Sequence, residues 1–337
     1  MFRYAHASGP GAAQACVGEL GHIGRGLGFV YFTDSLVSEA GEILAEMRKT
    51  GVRDWIGTVG TGVIATGVEY QDEPAVAAMV ADIDAYAVFS GRAPLQRDQN
   101  FAVAHADPAA PDLPGLVTDL SARLASGYVV GGIASSRAKT VQIANEVLSG
   151  GMSGASFGPE VVVATRHTQG CTPYPGRFRV TESVDNIILS LEGRPALEVL
   201  KEVIREKSEV LIGLPVPGSD TGDYTARNLL GIDPNSGAIA IGEAVTPGTE
   251  ILFLRRDPAA ARADLERILK ELKPNPARGA LYYSCVARGE HLFGARGAEL
   301  GLVRRALGDI PLVGFFCNGE ISHDRLYGYT GVLTLFS

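Results

Sequence analysis

Apolar residues along this chain follow two spacings, which alternate from one segment to the next. Between residues 35 and 50 they recur at helical spacing, with Asp34 or Ser35 able to cap the start and Gly51 at the end. Unbroken apolar runs at 26–32 and 54–57 flank this helix and are typical of buried strands. Because parallel strands need a crossover connection, the order strand, helix, strand predicts a parallel unit.

The same order of elements continues to the C-terminus. Helical stripes predict helices at 113–124, 195–204, 257–272 and 298–307, and apolar runs predict strands at 75–88, 127–135, 160–165, 209–214, 239–241, 250–254, 279–286 and 331–336. We therefore predict a mixed α/β fold, with parallel and antiparallel strands flanked by helices. Two related domains are expected, residues 1–184 and 185–337, with the boundary region in the glycine- and threonine-rich stretch 165–181.

One strand and its following turn occur twice. Residues 54–64 and 311–322 both run an apolar strand into Gly-x-x-x-x-Gly, so that Gly57 matches Gly314 and Gly62 matches Gly319. Neither copy continues with the Lys and Ser/Thr of a Walker A loop. The repeat therefore predicts a shared backbone device at strand ends, where open α/β sheets bind ligands, and not a nucleotide motif.

Composition excludes several classes of protein. The chain has 337 residues, of which 46% are hydrophobic and 20% charged, as in ordinary globular proteins. A net charge of −8 argues against nucleic acid or an anionic membrane as the main partner. No apolar run is long enough for a transmembrane helix, and no signal peptide is expected. The four cysteines are isolated, so a reducing cytoplasm is the expected location.

Several segments together resemble the FIST sensory proteins of bacteria, over nearly the whole chain. They are Gly26-Leu-Gly-Phe-Val-Tyr-Phe, Trp55-Ile-Gly-Thr-Val-Gly-Thr-Gly-Val-Ile, Gly67-Val-Glu-Tyr, Glu192-Gly-Arg-Pro-Ala-Leu-Glu-Val-Leu, Arg255-Arg-Asp, Ser284-Cys-Val-Ala-Arg-Gly and Gly314-Phe-Phe-Cys-Asn-Gly-Glu-Ile. The resemblance implies a FIST N plus FIST C pair that binds a small ligand, usually suggested to be an amino acid. Relatives are often fused to kinase, cyclase or chemotaxis effectors, so here a signal is expected to pass to a separate partner.

The segment 284–291 ends a predicted strand with polar residues. Arg288 could clamp a ligand carboxylate, with Gly289 allowing close approach. Alternatively, Arg288 pairs with Glu290 or Glu320 and ties two loops together. Cys285 could contact the ligand or act as a nucleophile, but a small buried strand residue is the simpler interpretation.

The glycine turns supply the remaining candidates for ligand binding. They are Asn318, Gly319 and Glu320 in one copy, Thr58, Gly60, Thr61 and Gly62 in the other, and Ser135 and Ser136 after the strand at 127–135. Glu320 could accept a ligand ammonium or instead cap backbone amides. The hydroxyl groups could contact ligand or only complete their turns. Together with Arg288, Glu320 could hold a zwitterion.

Other motifs are weaker. Gly60-x-Gly62-x-x-Ala65 fits a dinucleotide fingerprint only nominally, since no helical stripe follows it. The histidines lack metal-ligand spacing. Some FIST relatives are reported as haem proteins that sense nitric oxide, so haem on His167 or His291 is an alternative. An amidase-like enzyme using Cys285 or Ser153 comes last, and a non-catalytic binding module is expected.

Overall fold

Three sheets of the same topology contain most of the strands. The structure is a computed structural model that describes residues 2–91, 98–204, 209–219 and 222–337. It divides into two units, one formed by Met1–Gln169 with Arg262–Ser337 and the other by Gly170–Ala261. The mixed α/β fold that the sequence predicts is confirmed.

Each sheet of the first unit has six strands with one parallel pair at its centre. In the first sheet the order is β1 (Arg3–Ser8), β6 (Ala75–Ala81), β2 (Leu27–Thr33), β3 (Asp54–Gly60), β10 (Gln142–Ala144) and β11 (Val147–Leu148). In the second it is β7 (Tyr86–Ser90), β12 (Met152–Phe157), β8 (Phe101–Ala106), β9 (Tyr128–Ile133), β24 (Glu320–His323) and β25 (Arg325–Tyr327). In the third it is β13 (Val163–Gln169), β26 (Thr330–Phe336), β22 (Gly279–Cys285), β23 (Leu312–Cys317), β4 (Gly62–Ala65) and β5 (Val68–Gln71).

These sheets define three repeats, named in chain order by their parallel pairs β2/β3, β8/β9 and β22/β23. The other pairings in each sheet are antiparallel. The hairpin after each pair's second strand joins a different sheet: β4–β5 pairs with β23, β10–β11 with β3, and β24–β25 with β9. Hairpin exchange therefore interlocks the three repeats.

A glycine stands at the same place in each parallel pair. A Cβ added at Gly57, Gly131 or Gly314 would lie only 1.7, 1.8 or 1.7 Å from a carbonyl oxygen of the neighbouring parallel strand. The predicted match of Gly57 with Gly314 therefore has a geometric basis. The sequence did not show the copy in the second repeat, at Gly131, because Ser136 stands where the second glycine of the turn would be.

Equivalent side chains of the three repeats meet in one core. Tyr31, His105 and Tyr283 each follow the residue opposite the glycine of their repeat, and all three are fully buried. The Tyr31 hydroxyl lies 2.9 Å from the Tyr283 hydroxyl and 3.1 Å from His105 Nε2. Burial lowers the pKa of His105 to about 3, so the ring is neutral at physiological pH. The three sheets thus share one core around this contact.

Helices cover the outer faces of the sheets. They are α1 (Ala12–Leu20), α2 (Ala40–Arg48, preceded by a 3-10 turn at Asp34–Glu39), α3 (Leu113–Ser121), α4 (Ala196–Val203), α5 (Pro258–Leu272), α6 (Glu290–Phe293) and α7 (Ala298–Leu307). The segment 34–48 connects β2 to β3, as expected for a parallel crossover. Among helices of the described residues, none has the length and apolarity needed to cross a membrane.

The second unit is a closed antiparallel barrel. Its ring consists of β15 (Phe178–Val184), β16 (Ile187–Leu191), β20 (Ala238–Ile241), β19 (Tyr224–Asp233), β18 (Leu211–Pro215) and β21 (Glu250–Arg256), and β21 pairs again with β15. Two short strands, β14 (Cys171–Pro173) and β17 (Arg194–Pro195), pair with β21 and β16. Val180, Ile188 and Phe253 are among its buried core residues.

The two units divide the chain differently from the predicted domains 1–184 and 185–337. The first change of unit, between Gln169 and Gly170, lies in the stretch 165–181 that the sequence marks as a boundary region. The chain then returns to the first unit at Arg262. The reason is strand pairing, since β26 pairs with β13 and β23 with β4, which join the C-terminal residues to sheets begun by the N-terminal ones.

Candidate functional site

A cleft of about 210 Å³ opens in the first unit. Its lining residues are Thr61, Gln71, Asp72, Arg137, Val286, His291 and Phe316. All three repeats contribute, because Thr61 follows β3, Arg137 follows β9 and Val286 follows β22. The cleft therefore lies beyond the carboxyl ends of parallel strands, where α/β sheets commonly bind ligands.

Ser135 holds the turns of the three repeats together beside the cleft. Its hydroxyl donates to the carbonyl oxygen of Phe316 and accepts from the amide of Thr61 at 2.9 Å. Ser135 is buried, so these contacts are protected from water. Ser135 and Thr61, two of the residues singled out in the sequence, are thus brought together, with Ser135 positioning the wall and Thr61 lining it.

Arg137 is the main charged group of the cleft, and the sequence did not identify it. Its Nε and its backbone amide donate to one oxygen of Asp34, both at 2.9 Å, and Nη2 donates to the other at 3.0 Å. Nη1 donates to Asp72. Hydrogen bonds from Arg137 are the main cause of a lowered pKa of Asp34. The sequence feature that could have identified Arg137 is its place directly after Ser135 and Ser136, as a charged residue at the end of a strand.

Two predicted glycines let large side chains close the floor of the cleft. A Cβ at Gly62 would lie 2.8 Å from Gln71 Cγ and 2.9 Å from Phe316 Cδ2. A Cβ at Gly289 would lie 2.9 Å from Phe316 Cε1. At Gly60 the close side chain is Phe315, at 3.1 Å. The expected close approach exists, but protein atoms make it, including the backbone carbonyl oxygens of Tyr70 at Gly62 and of Gly62 at Gly60, each 2.7 Å from the added Cβ.

Arg288 is not the open clamp that the sequence suggested. It is fully buried and pairs with Glu299 of α7 at 2.6 Å, and not with Glu290 or Glu320. Glu299 also accepts hydrogen bonds from Tyr282, Ser284 and the amide of Gly289. The reason is orientation, because this face of β22 is covered by α7. Polar residues alternating along β22 were the sequence signal for a buried acidic partner.

Glu320 caps a backbone amide. It is fully buried and accepts from the amide of Thr330 at 3.0 Å, from the Thr330 hydroxyl at 2.6 Å and from the Cys317 thiol at 3.2 Å. In the other repeats Thr33 and Asp107 accept the amides of Ala75 and Gly150, both at 2.9 Å.

In the third repeat Cys285 occupies the position of Thr33 and Asp107, and Glu320 takes over the role of acceptor. Of the two interpretations left open for Glu320, the geometry therefore supports the cap. Arg288 and Glu320 are both closed off from solvent and bonded to protein groups, so in this structure neither is presented to a ligand as the predicted zwitterion site requires.

Glu320→Gln is expected to remove a pH dependence of folding. Burial is the main cause that raises the pKa of Glu320 from 4.5 to about 7, against hydrogen bonds that lower it. Between these values the unfolded chain loses the proton first, so the free energy of unfolding falls by about 3 kcal/mol as pH rises through this range. Urea denaturation at pH 5 and pH 7.5 measures it. A difference undiminished in the variant would contradict this assignment.

The other candidates lie elsewhere or serve the fold. Thr58 is buried and donates to the Val141 carbonyl at 2.9 Å, and the Ser136 hydroxyl accepts from the amide of Ala138 at 3.0 Å. Cys285 is buried, which raises its pKa and disfavours a nucleophilic thiolate. Asn318 is exposed, and Gly319 has φ +140°, which favours glycine.

The residues considered for haem or hydrolysis are also separated. His167 stacks on Tyr327 with ring centroids 4.9 Å apart, whereas His291 lines the cleft. Ser153 is buried and donates to Gln142 at 2.7 Å, with no histidine base in that bond. Within the described residues no group of three or more His, Cys, Asp or Glu side chains is arranged to hold a metal ion.

Comparison with known proteins agrees with the resemblance seen in the sequence. The FIST N domain model matches residues 26–194 and the FIST C domain model residues 196–323. An uncharacterized protein of Mycobacterium tuberculosis is 33% identical over 350 residues, covering 92% of this chain and 90% of the relative. One of Mycobacterium bovis is 31% identical over 326 residues, covering 83% and 82%. FIST domains are associated with sensory signal transduction. The chain belongs to the FIST family, with both a FIST N and a FIST C domain.

Proposed function

We propose that this chain is a sensory protein that binds a small zwitterionic metabolite, an amino acid or a similar compound, in the cleft. The observation that carries the proposal is the pair Arg137 and Asp72, two exposed side chains of opposite charge on the cleft wall. The sensory role is supported by the association of FIST domains with signal transduction. A separate kinase, cyclase or chemoreceptor is the proposed output partner.

The charges of the cleft match a zwitterion. Asp34 fixes Arg137 through three hydrogen bonds, so Nη1 is the part of the guanidinium that a ligand carboxylate can take over. Asp72, released from Nη1, would then face the ligand ammonium. Breaking the ion pair of Arg137 and Asp72 costs little free energy, because the two side chains are 60% and 75% exposed and exposed ion pairs are weak. Thr61 and Gln71 add uncharged hydrogen-bonding groups.

The size of the cleft favours a ligand smaller than haem. Pockets for drug-sized ligands occupy about 300–1,000 Å³, and the cleft holds about 210 Å³. His291 lines it, so haem on His291 is the alternative, and colour of the purified protein separates the two. None of the four cysteines, all within the described residues, forms a disulfide, which supports a cytoplasmic location.

Arg137→Ala is expected to weaken ligand binding about 10- to 100-fold. The variant removes a charged hydrogen-bond donor, a loss of about 1.5–3 kcal/mol. A thermal-shift panel of amino acids, small carboxylates and haem would find the ligand, and calorimetric titration would measure its affinity.

Arg304→Ala is the matched control for Arg137→Ala. It removes another exposed arginine that pairs with an aspartate, Asp309, outside the cleft. Its affinity for the ligand should equal that of the wild type. Equal losses in both variants, or an unchanged affinity in Arg137→Ala, would contradict the site.

A further inference from the structure

Glu69 is a buried acid at a position that is apolar in the other two repeats. It lies on β5, is 3% exposed, and neither carboxylate oxygen has a hydrogen bond of good geometry in the described part of the chain, although the Gly297 amide acts on the carboxylate. The register of the three exchanged hairpins places Val147 and Leu326 at the equivalent positions, opposite Ile143 and Ile321 as Glu69 is opposite Ile64. Two repeats therefore fold with an apolar residue where the first has a carboxylate.

The surroundings of Glu69 leave its charge unbalanced. Glu290, Glu299 and Arg296 are the charged groups that act on it, together with the amide of Gly297 before α7. Glu299 is committed to Arg288, and Arg296 to Glu73. A buried carboxylate without a cationic partner is costly, so such a group stays protonated or gains a cation. Burial accordingly raises the pKa of Glu69, although the Gly297 amide favours the charged form.

Glu69 lies next to the cleft. Side chains two residues apart on a strand share a face, so Glu69 and Gln71 point the same way, and Gln71 lines the cleft. On the opposite side Glu290, which acts on Glu69, directly precedes the cleft residue His291. A change of the Gln71 rotamer would open a path from the cleft to the carboxylate.

We propose that the ligand of the cleft carries a second cationic group, an ammonium or guanidinium, which passes Gln71 and pairs with Glu69. The proposal rests on the proposed function, with Arg137 and Asp72 holding the zwitterionic end. It assigns the ligand to the dibasic amino acids and related compounds. Entry of the cation ionises Glu69, so binding releases a proton to the solvent.

The test is a calorimetric titration with matched pairs of amino acids. Lysine is compared with norleucine, and arginine with citrulline, in the wild type, Glu69→Gln and Glu69→Leu. The wild type should prefer the cationic member by about 30-fold, the effect of one charged hydrogen bond. Both variants should lose this preference while still binding the neutral member. Glu69→Leu should fold, because Val147 and Leu326 occupy the equivalent positions.

A second readout is the number of protons exchanged. Repeating the lysine titration in two buffers of different ionisation enthalpy should show proton release that grows as pH is lowered from 7 to 5 in the wild type, and none in Glu69→Gln. Neutral and cationic ligands that bind equally well to the wild type, or a preference kept in Glu69→Gln, would reduce Glu69 to a cap of α7. In that case, a loss of neutral-ligand binding in Arg137→Ala would still support the proposed function. No binding by any of these compounds would overturn both.

Discussion

Gly57→Ala is expected to destabilise the protein by more than about 4 kcal/mol, beyond the usual range of overpacking. The added Cβ would lie 1.7 Å from the Val30 carbonyl oxygen, a backbone atom fixed within the parallel pair β2/β3. Relief would require the two strands to separate in the middle of a sheet. Gly314→Ala should behave in the same way, because its Cβ meets the Tyr282 carbonyl oxygen at the same distance. Urea denaturation followed by circular dichroism measures both.

The control is a glycine without such a neighbour. Gly18 lies exposed within α1, and a Cβ there would meet nothing within 4 Å. Gly18→Ala should therefore stabilise the protein by roughly 0.5–1 kcal/mol, because alanine favours the helix over glycine. If Gly57→Ala unfolded at the same urea concentration as the wild type, the close packing of the parallel pairs would be disproved.

Local patterns in the sequence predicted the helices better than the strands: the five predicted helices are present, but the run at 75–88, predicted as one strand, forms β6 and β7 in two different sheets. The helical stripe and flanking strands at residues 26–57 form the first parallel pair with its crossover. The match of Gly57 with Gly314 was visible because both turns keep the same length. In the second repeat Ser136 stands in place of the second glycine and the connection from β9 to β10 is longer, so the pattern after Gly131 is lost. Recognition of the repeat depended on turn length, although strand pairing is what the repeats share.

Long-range pairing could not be predicted from spacing. Nothing in the apolar runs of β23 and β26 indicates that these strands pair with β4 and β13 of the first 170 residues. Closure of the barrel in the second unit could not be predicted either, because its strands are short and closure depends on β21 pairing with both β15 and β18.

The candidate site was predicted in part for a physical reason. Glycines and hydroxyl groups mark the ends of strands, so Thr61, Gly62 and Ser135 were found near the cleft. Arg288 and Glu320 also follow the ends of strands, β22 and β23, but both are fully buried. Sequence alone does not reveal which face of a strand end a helix covers, and that coverage separates a buried ion pair from a ligand contact.

Glu299→Ala is expected to cost about 3–5 kcal/mol, because it leaves the guanidinium of Arg288 buried without a counter-ion. Nε and Nη2 of Arg288 lie 2.9 and 2.6 Å from the same carboxylate oxygen, and neither side chain is exposed. The double variant Arg288→Met/Glu299→Leu should recover most of this loss, since apolar replacements of similar volume fill the site without an unpaired charge.

Arg194→Ala is the control for Glu299→Ala. It breaks an ion pair with Glu202 that has the same short distance, 2.6 Å, but whose side chains are 46% and 62% exposed. Water replaces the lost partner there, so no measurable change in the free energy of unfolding is expected. If the double variant were as unstable as Glu299→Ala, the loss would come from the hydrogen bonds that Tyr282, Ser284 and Gly289 give to Glu299, and the unpaired charge would not be its cause.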